Sequence, residues 1–420
     1  MGYTVVEKMF ALKSRQQGVK AGDVVYTNPD VIMLHEGGTF GLQRPFDELG
    51  IARIAERMEV VVLLDHYVPA PSVGHATRQK VTREFARRMN IAAWYEVGRG
   101  GICHQLLPEK GYVRPGELLV GTDAHMTTYG AVGALGIGVG FTDMAVILGT
   151  GKMWTVVPST VKVTFTGELQ RGSSAKDIIL VMMGLFGESR LAYRSLEIHG
   201  EAVYKLSVED RMTICNMASE LGIKSVSMKT DQAAKEYVTA KTVKPFREVW
   251  ADGDARYEAE YEIDLGEIQP MIAAPSSPGN VVPLAEVEGV RIDQAFLGSC
   301  TNGKLSDLRA AAELLKGHRV HPDVRLIVTP ASQEVYLQAL DEGLIRMFIE
   351  QGALVTNPTC GACIGGHMGL LADGEVCISA SNRNFVGRMG STKSAVYLAS
   401  PEAVAAAAIA GEITDPRKYM

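Results

Sequence analysis

Short apolar runs alternate with amphipathic stretches through most of this 420-residue chain. Val60–Leu64 is an apolar run of strand length and ends in Asp65-His66. Leu118–Val120 is another and leads to Asp123-Ala124-His125, with Gly101-Ile102-Cys103-His104 lying between the two runs. Val161–Thr166 alternates apolar and polar positions, the pattern of a half-buried strand. Beyond residue 280 strands and helices alternate most plainly. Gln294–Leu297, Val324–Val328, Ala353–Val355 and Val376–Ser379 read as strands. A helix is expected from Ser306 as N-cap, with Leu308, Ala311, Ala312 and Leu315 on its apolar face and Gly317 at its stop. A further helical stretch runs through Leu340. Upstream, Ser207 opens a helix with Asp210 at the capping-box position and Gly222 past its end. Asn216 and Glu220 lie four apart and so share a face of that helix.

These elements divide into three α/β segments, residues 1–158, 159–278 and 279–420. The linker between the last two is Ala274-Pro-Ser-Ser-Pro-Gly-Asn280, whose prolines and glycine stop both helix and central strand. The stretch Gly133-Ala-Leu-Gly136-Ile-Gly138-Val-Gly140 has the wrong spacing for a dinucleotide-binding turn, and no strand–turn–helix is evident around it. Close helix or turn packing is the expectation there.

Composition narrows the partners. Apolar content of 46% and a charged fraction of 21% belong to a globular protein. A net charge of −6 gives no reason to expect nucleic acid or an anionic membrane. No apolar run reaches membrane-spanning length, and the N-terminus carries no signal-peptide pattern. Six cysteines in a chain of this length are no disulfide scaffold. The expectation is a cytoplasmic protein with reduced thiols, whose small anionic substrate is held by local arginines.

Three cysteines carry the most chemical information. Cys300 stands in Gly-Ser-Cys-Thr-Asn, and Cys360 and Cys363 in Cys-Gly-Ala-Cys. Both groups, and the pair Arg383 and Arg388, follow the C-terminal end of an expected strand, where open α/β sheets bind ligands. Three thiolates can hold an iron–sulfur cubane by three corners and leave one iron open as a Lewis acid. Zinc is the competing reading, but it wants four ligands and the other candidates are single histidines such as His367. A thioredoxin-like dithiol or a structural role is the third. Cys103, Cys215 and Cys377 read as small buried hydrophobes. Arg383 and Arg388 suit bidentate capture of carboxylates. In Asp65-His66 and Asp123-Ala-His125 a carboxylate can fix an imidazole for proton transfer.

Gly298-Ser-Cys-Thr-Asn302, Cys360-Gly-Ala-Cys-Ile-Gly365 and Ser381-Asn-Arg-Asn-Phe-Val-Gly-Arg388 together resemble the signatures of the aconitase superfamily. Arg211-Met-Thr-Ile-Cys-Asn-Met-Ala-Ser-Glu220 extends the likeness, which is nearest to the large subunits of the isopropylmalate dehydratase and homoaconitase branch. The resemblance implies three α/β domains around a [4Fe-4S] cluster on Cys300, Cys360 and Cys363, and reversible dehydration of a 2-hydroxy di- or tricarboxylate. It implies that Asp65 and His66 protonate the departing hydroxyl and that Asp123 and His125 lie near the iron-bound water. It further implies that His104 and Glu220 form another active-site pair. Asn216, Asn302 and Asn382 would neighbour the cluster or substrate, Arg383 and Arg388 would bind substrate carboxylates, and His35 would sit near a substrate contact.

Two departures stand out. Family members usually carry Asp-Ser-His where this chain has Asp123-Ala-His125, and His35-Glu-Gly-Gly-Thr39 replaces a His-Glu-Val-Thr-Ser-Pro loop. The sequence also ends without the swivelling fourth domain of single-chain aconitases, so the resemblance implies a separate small subunit carrying the catalytic base. A different class of reading is a cluster-free, iron-sensing RNA binder. The acidic balance and the lack of basic stripes argue against it.

Overall fold

The computed structural model describes residues 2–420. Parallel strands dominate it, because each apolar strand is followed by a connection long enough to bring the chain back to the same end. The first sheet has five strands, in the order 93–95, 59–63, 31–34, 118–121, 135–138, all parallel. The second has four parallel strands, in the order 225–228, 195–199, 160–166, 259–264. The third has seven, in the order 281–283, 271–273, 395–398, 376–379, 294–297, 325–328, 354–355. Its five strands from 395–398 to 354–355 are parallel, and 271–273 and 281–283 are antiparallel additions at one edge. A two-stranded antiparallel ribbon pairs Val24–Thr27 with Met153–Val156.

The expected strands form, several with unchanged limits: Gln294–Leu297 and Val376–Ser379 are both strands. The capping box at Ser207 also forms. Its hydroxyl accepts from the Asp210 N–H at 3.1 Å, and the Asp210 carboxylate accepts from the Ser207 N–H at 3.1 Å.

Four local expectations are corrected. The helix placed after Ser306 begins at Leu305 with Lys304 as its cap. The Asp307 carboxylate takes the Lys304 N–H at 2.9 Å, and Glu209 from a different helix takes the Ser306 N–H at 3.1 Å. The helix from Ser207 stays α-helical only to Met217 and tightens into a 3-10 turn over Ala218–Leu221, so Asn216 and Glu220 reach different partners. Residues 274–280 join the paired strands 271–273 and 281–283, so this turn lies inside the third sheet and that sheet begins ahead of residue 279. Finally, the glycine-rich stretch is a strand, Leu135–Gly138, leading through Gly140 into the helix Phe141–Thr150. Glycine suits this strand for packing: a Cβ on Gly136 would collide with the Met126 carbonyl oxygen.

One apolar cluster runs through all three sheets and includes Met33, Val163, Ile179 and Phe296. Among the described residues no helix is long and apolar enough to cross a membrane. Arg211 is wholly buried and makes a bidentate pair with Asp231 at 2.7 Å for both bonds, which ties the Ser207 helix to the helix that follows Asp231.

Gly136→Ala is expected to cost about 2 kcal/mol or more by forcing backbone apart. Gly253→Ala, where an added methyl meets nothing within 4 Å, is expected to stay within about 0.5 kcal/mol. Urea denaturation of both variants checks the contrast, and equal midpoints would contradict the close approach at Gly136.

Candidate active site

The C-terminal ends of the first and third sheets supply the site. His35 follows strand 31–34, Asp65 and His66 follow 59–63, and Asp123 and His125 follow 118–121. Cys300 follows 294–297, Cys360 and Cys363 follow 354–355, and Asn382 and Arg383 follow 376–379. Backbone hydrogen bonds join the two sets. Cys360 N–H donates to the Asp65 carbonyl at 3.1 Å, and Ile102 N–H donates to the Ala331 carbonyl at 2.8 Å.

A cavity of ≈ 260 Å³ results. His66, His104, Asp123, His125, Cys300, Cys360, Cys363, Asn382, Arg383 and Arg388 line it, with Tyr67, Ile102, Cys103 and Ile364. All six cysteines of the chain are free thiols. Burial and the neighbouring Cys363 push the Cys300 thiol up to about 12. Burial and Asp65 raise Cys360 well above the ordinary thiol range. Each must therefore lose a proton to ligate, a loss that a bound metal centre can drive. The Asn382 amide donates to Cys300 Sγ at 3.4 Å and to Thr301 Oγ1 at 3.1 Å, and its oxygen accepts from Cys363 Sγ at 3.6 Å. Ser299 holds a left-handed backbone, φ +78°, which for a non-glycine residue is strain stored at the turn into Cys300.

This donor set fits the iron–sulfur expectation better than the zinc one. The nearby imidazole nitrogens are already engaged. His104 uses Nε2 on Asp123 Oδ1 at 2.7 Å and Nδ1 on the Tyr129 hydroxyl at 3.1 Å. His125 uses Nε2 on Glu220 Oε1 at 3.0 Å and Nδ1 on Asp123 Oδ1 at 3.3 Å. His367 is turned to Thr359 Oγ1 at 3.4 Å. Soft thiols beside imidazoles already bonded to carboxylates suit an iron–sulfur centre.

Imidazoles and carboxylates alternate along one wall. His66 Nδ1 lies 2.5 Å from Asp65 Oδ1, and its Nε2 lies 3.6 Å from Asp123 Oδ2. Burial disfavours the imidazolium, but the Asp65 charge and hydrogen bonds to Asp123 and Asp65 win, and His66 is raised well above its ordinary value. Burial works against the Asp123 carboxylate too, yet contacts with His104, His125 and His66 hold it well below the usual range. Burial opposes and hydrogen bonds to Asp123 and Glu220 lift His125. Glu220 is lowered because His125 and Arg383 outweigh its burial. His35 stacks on His66 with centroids 4.1 Å apart. Its burial, and His66 beside it, lower its proton affinity. The Gly37 N–H donates to His35 Nδ1 at 3.2 Å, which leaves the proton on Nε2, 3.3 Å from the Thr122 carbonyl.

The pairing differs from the expected one. Asp123 holds His104, and Glu220 holds His125 and accepts from Arg383 Nε at 2.8 Å. His104 and Glu220 are not partners of each other. Asn302 also departs from expectation. Its amide donates to Asp307 Oδ1 at 2.9 Å and its oxygen accepts from Lys176 Nζ at 3.3 Å, so both ends face the protein interior. Asn216 lies behind Cys300, accepting from Cys300 Sγ at 3.6 Å and from Thr301 Oγ1 at 2.7 Å. Ala124 is exposed and borders an adjoining groove with Thr122 and Thr127 rather than the thiol cavity. Arg388 lines the cavity, and its Nε is buried without a hydrogen-bond partner among the described residues.

Glu36 was not singled out by its sequence pattern. It is 1% exposed, and its carboxylate accepts from the Asp65 N–H at 3.1 Å and the Tyr67 N–H at 2.8 Å. It fixes the loop that carries His66. The nearest signal in the sequence is its place directly after His35 at a strand end. Cys103, read as a buried hydrophobe, is buried but also lines the cavity, and its N–H donates to Asp65 Oδ2 at 2.9 Å.

Residues 7–411 match the family model described as the aconitase family (aconitate hydratase). The chain is 50% identical to the 3-isopropylmalate dehydratase large subunit 1 of Methanopyrus kandleri, over 100% of both chains. It is 45% identical to the probable methanogen homoaconitase large subunit of Methanothermobacter thermautotrophicus, over 99% of this chain and 97% of that one. A third relative, the 3-isopropylmalate dehydratase large subunit of Sulfurihydrogenibium sp., is 43% identical over 99% of this chain and 96% of its own.

Glu36→Ala strands two buried N–H groups and is expected to cost about 2–4 kcal/mol in chemical denaturation. Glu36→Gln keeps one acceptor and is expected to recover roughly half of that loss. Two variants of wild-type stability would show that the loop does not depend on this carboxylate.

Proposed function

The chain belongs to the aconitase family, and on that premise we propose that it is the large, cluster-bearing subunit of a hydro-lyase acting on a 2-hydroxy dicarboxylate of the 3-isopropylmalate type. The reading rests on one observation: three thiols, an imidazole–carboxylate wall and two arginines share a single cavity. Homoaconitase activity is the second reading, supported by the 45% identity to a homoaconitase large subunit. A dimethylmalate or maleate type of hydratase is a third substrate class with the same chemistry. The six free thiols suit a reducing cytoplasm, where such a biosynthetic enzyme, in leucine formation for the leading substrate, would work.

Cys300, Cys360 and Cys363 are the residues to hold a [4Fe-4S] cluster. When bound by three thiolates, such a cluster supplies one open iron as a Lewis acid at the substrate hydroxyl. The remaining work belongs to side chains of this protein and its partner. Asp65 and Asp123, which face His66, favour its protonated form, and its Nε2 proton goes to the departing hydroxyl. Asp65 keeps the ring in register through Nδ1. Asp123, His104 and His125 form a coupled group that stores or returns a proton beside the leaving oxygen. Arg383 is anchored through Nε on Glu220, which leaves its two terminal nitrogens for a substrate carboxylate. Arg388, which lines the same cavity, takes the second carboxylate. Two fixed guanidinium groups hold the dianion in line with His66, and that orientation supplies much of the rate.

A base is also needed for the proton on the neighbouring carbon. The relatives are named as large subunits, and we assign that base to a small-subunit partner that closes over the cavity. The chain alone then binds the cluster and turns over poorly.

Cys360→Ser is expected to bind no stable cluster after anaerobic reconstitution, read as iron, sulfide and visible absorbance; wild-type iron content would remove Cys360 from the ligand set. Arg383→Lys is expected to lower kcat/KM about 100-fold or more in the reconstituted pair, since a bidentate clamp is lost. Full dehydratase activity of the chain without any added subunit would overturn the split-enzyme reading.

A further inference from the structure

Lys176 is a wholly buried lysine near the start of the helix Ala175–Phe186. Its ammonium donates to the Ala380 carbonyl at 2.8 Å, the Ser381 carbonyl at 2.6 Å and Asn302 Oδ1 at 3.3 Å. All three direct partners are neutral. Two belong to the loop that carries Asn382 and Arg383, and the third stands two residues after Cys300. A second buried ammonium, Lys304, lies 3.2 Å from Asp307 and donates to Thr213 Oγ1 at 2.7 Å and to the Thr301 carbonyl. Asp307 also accepts from Asn302, and it reaches Lys176 only through that neutral amide. Asp177, next to Lys176, spends its carboxylate on the N–H groups of Met271 at 2.7 Å and Ser174 at 2.8 Å.

A buried cation with neutral partners costs several kcal/mol unless an anion lies close by. Burial pulls Lys176 down to about 7, with Asp307 and Cys363 among the groups opposing that pull. Asn382, in the loop that Lys176 holds, contacts the thiols of both Cys300 and Cys363. Three thiolates around a [4Fe-4S] core carry net negative charge. We infer that Lys176 is the buried counter-charge of the thiolate-bound cluster, with a cost in the empty chain that is offset only when the cluster is in place. This rests on the cofactor reading above and adds to it a residue from the second sheet's segment.

The sign of the effect must then reverse between the two states. Without cluster, Lys176→Gln removes the buried charge but keeps a donor for the carbonyl oxygens around it, and is expected to leave the unfolding temperature equal to or above that of the wild-type apo chain. With cluster, the same variant is expected to lose iron to a chelator about tenfold faster and to show a lower midpoint potential in a redox titration followed by electron paramagnetic resonance. Lys176→Met removes the charge and the donor together and should match the Gln variant in iron loss and potential in the loaded chain. An apo Lys176→Gln chain that unfolds well below wild type would make the lysine a plain structural strap. A Gln variant with wild-type iron retention and potential would assign its role to hydrogen bonding, and either result overturns the inference. Failure of the wild-type chain itself to take up iron and sulfide would instead sink the cofactor reading, before any variant is compared.

Discussion

The Asp65 loop is where the two halves of the site are bolted together. The Asp65 N–H goes to the Glu36 carboxylate, its own carboxylate takes His66 Nδ1 and the Cys103 N–H, and its carbonyl accepts from the Cys360 N–H and Thr359 Oγ1. Three separate stretches of chain are thus fixed by one residue. Every buried polar atom of that loop needs a partner, so displacement of one stretch leaves costly orphans in the others. The thiols and the His66 imidazole keep their spacing for this reason.

The wall of alternating imidazoles and carboxylates follows the same rule on a larger scale. Asp65, His66, Asp123, His104, His125, Glu220 and Arg383 are linked pairwise from one end to the other. Each charge would be expensive to bury alone, and each is held by a neighbour of opposite sign. The wall therefore presents fixed, mutually held groups to the cavity rather than mobile water.

The variations from common family patterns fall where they disturb this frame least. Ala124 is exposed at a groove beside the cavity, whereas the neighbouring Asp123 faces inward to three histidines. Gly38, in the altered loop after His35, lies so close to the Thr122 hydroxyl that a Cβ there would displace it. The changed residues therefore lie outside the thiol cavity and leave its hydrogen-bond network intact.

Local rules carried far along the chain. Apolar runs located the strands around 294–297 and 376–379, the Ser207 capping box located its helix, and chemistry-bearing residues at strand ends foretold one common site. These signals are legible because periodicity, caps and strand ends act between residues a few positions apart. Partnerships across the fold were not legible in that way. His104 with Asp123, His125 with Glu220 and Lys176 with the Ser381 carbonyl join residues 19, 95 and 205 positions apart. Nothing in an ordinary helical lysine marks it as buried, and nothing in Asn302 shows that it turns inward. Which charged group meets which depends on how the three sheets pack, and only the folded chain sets that.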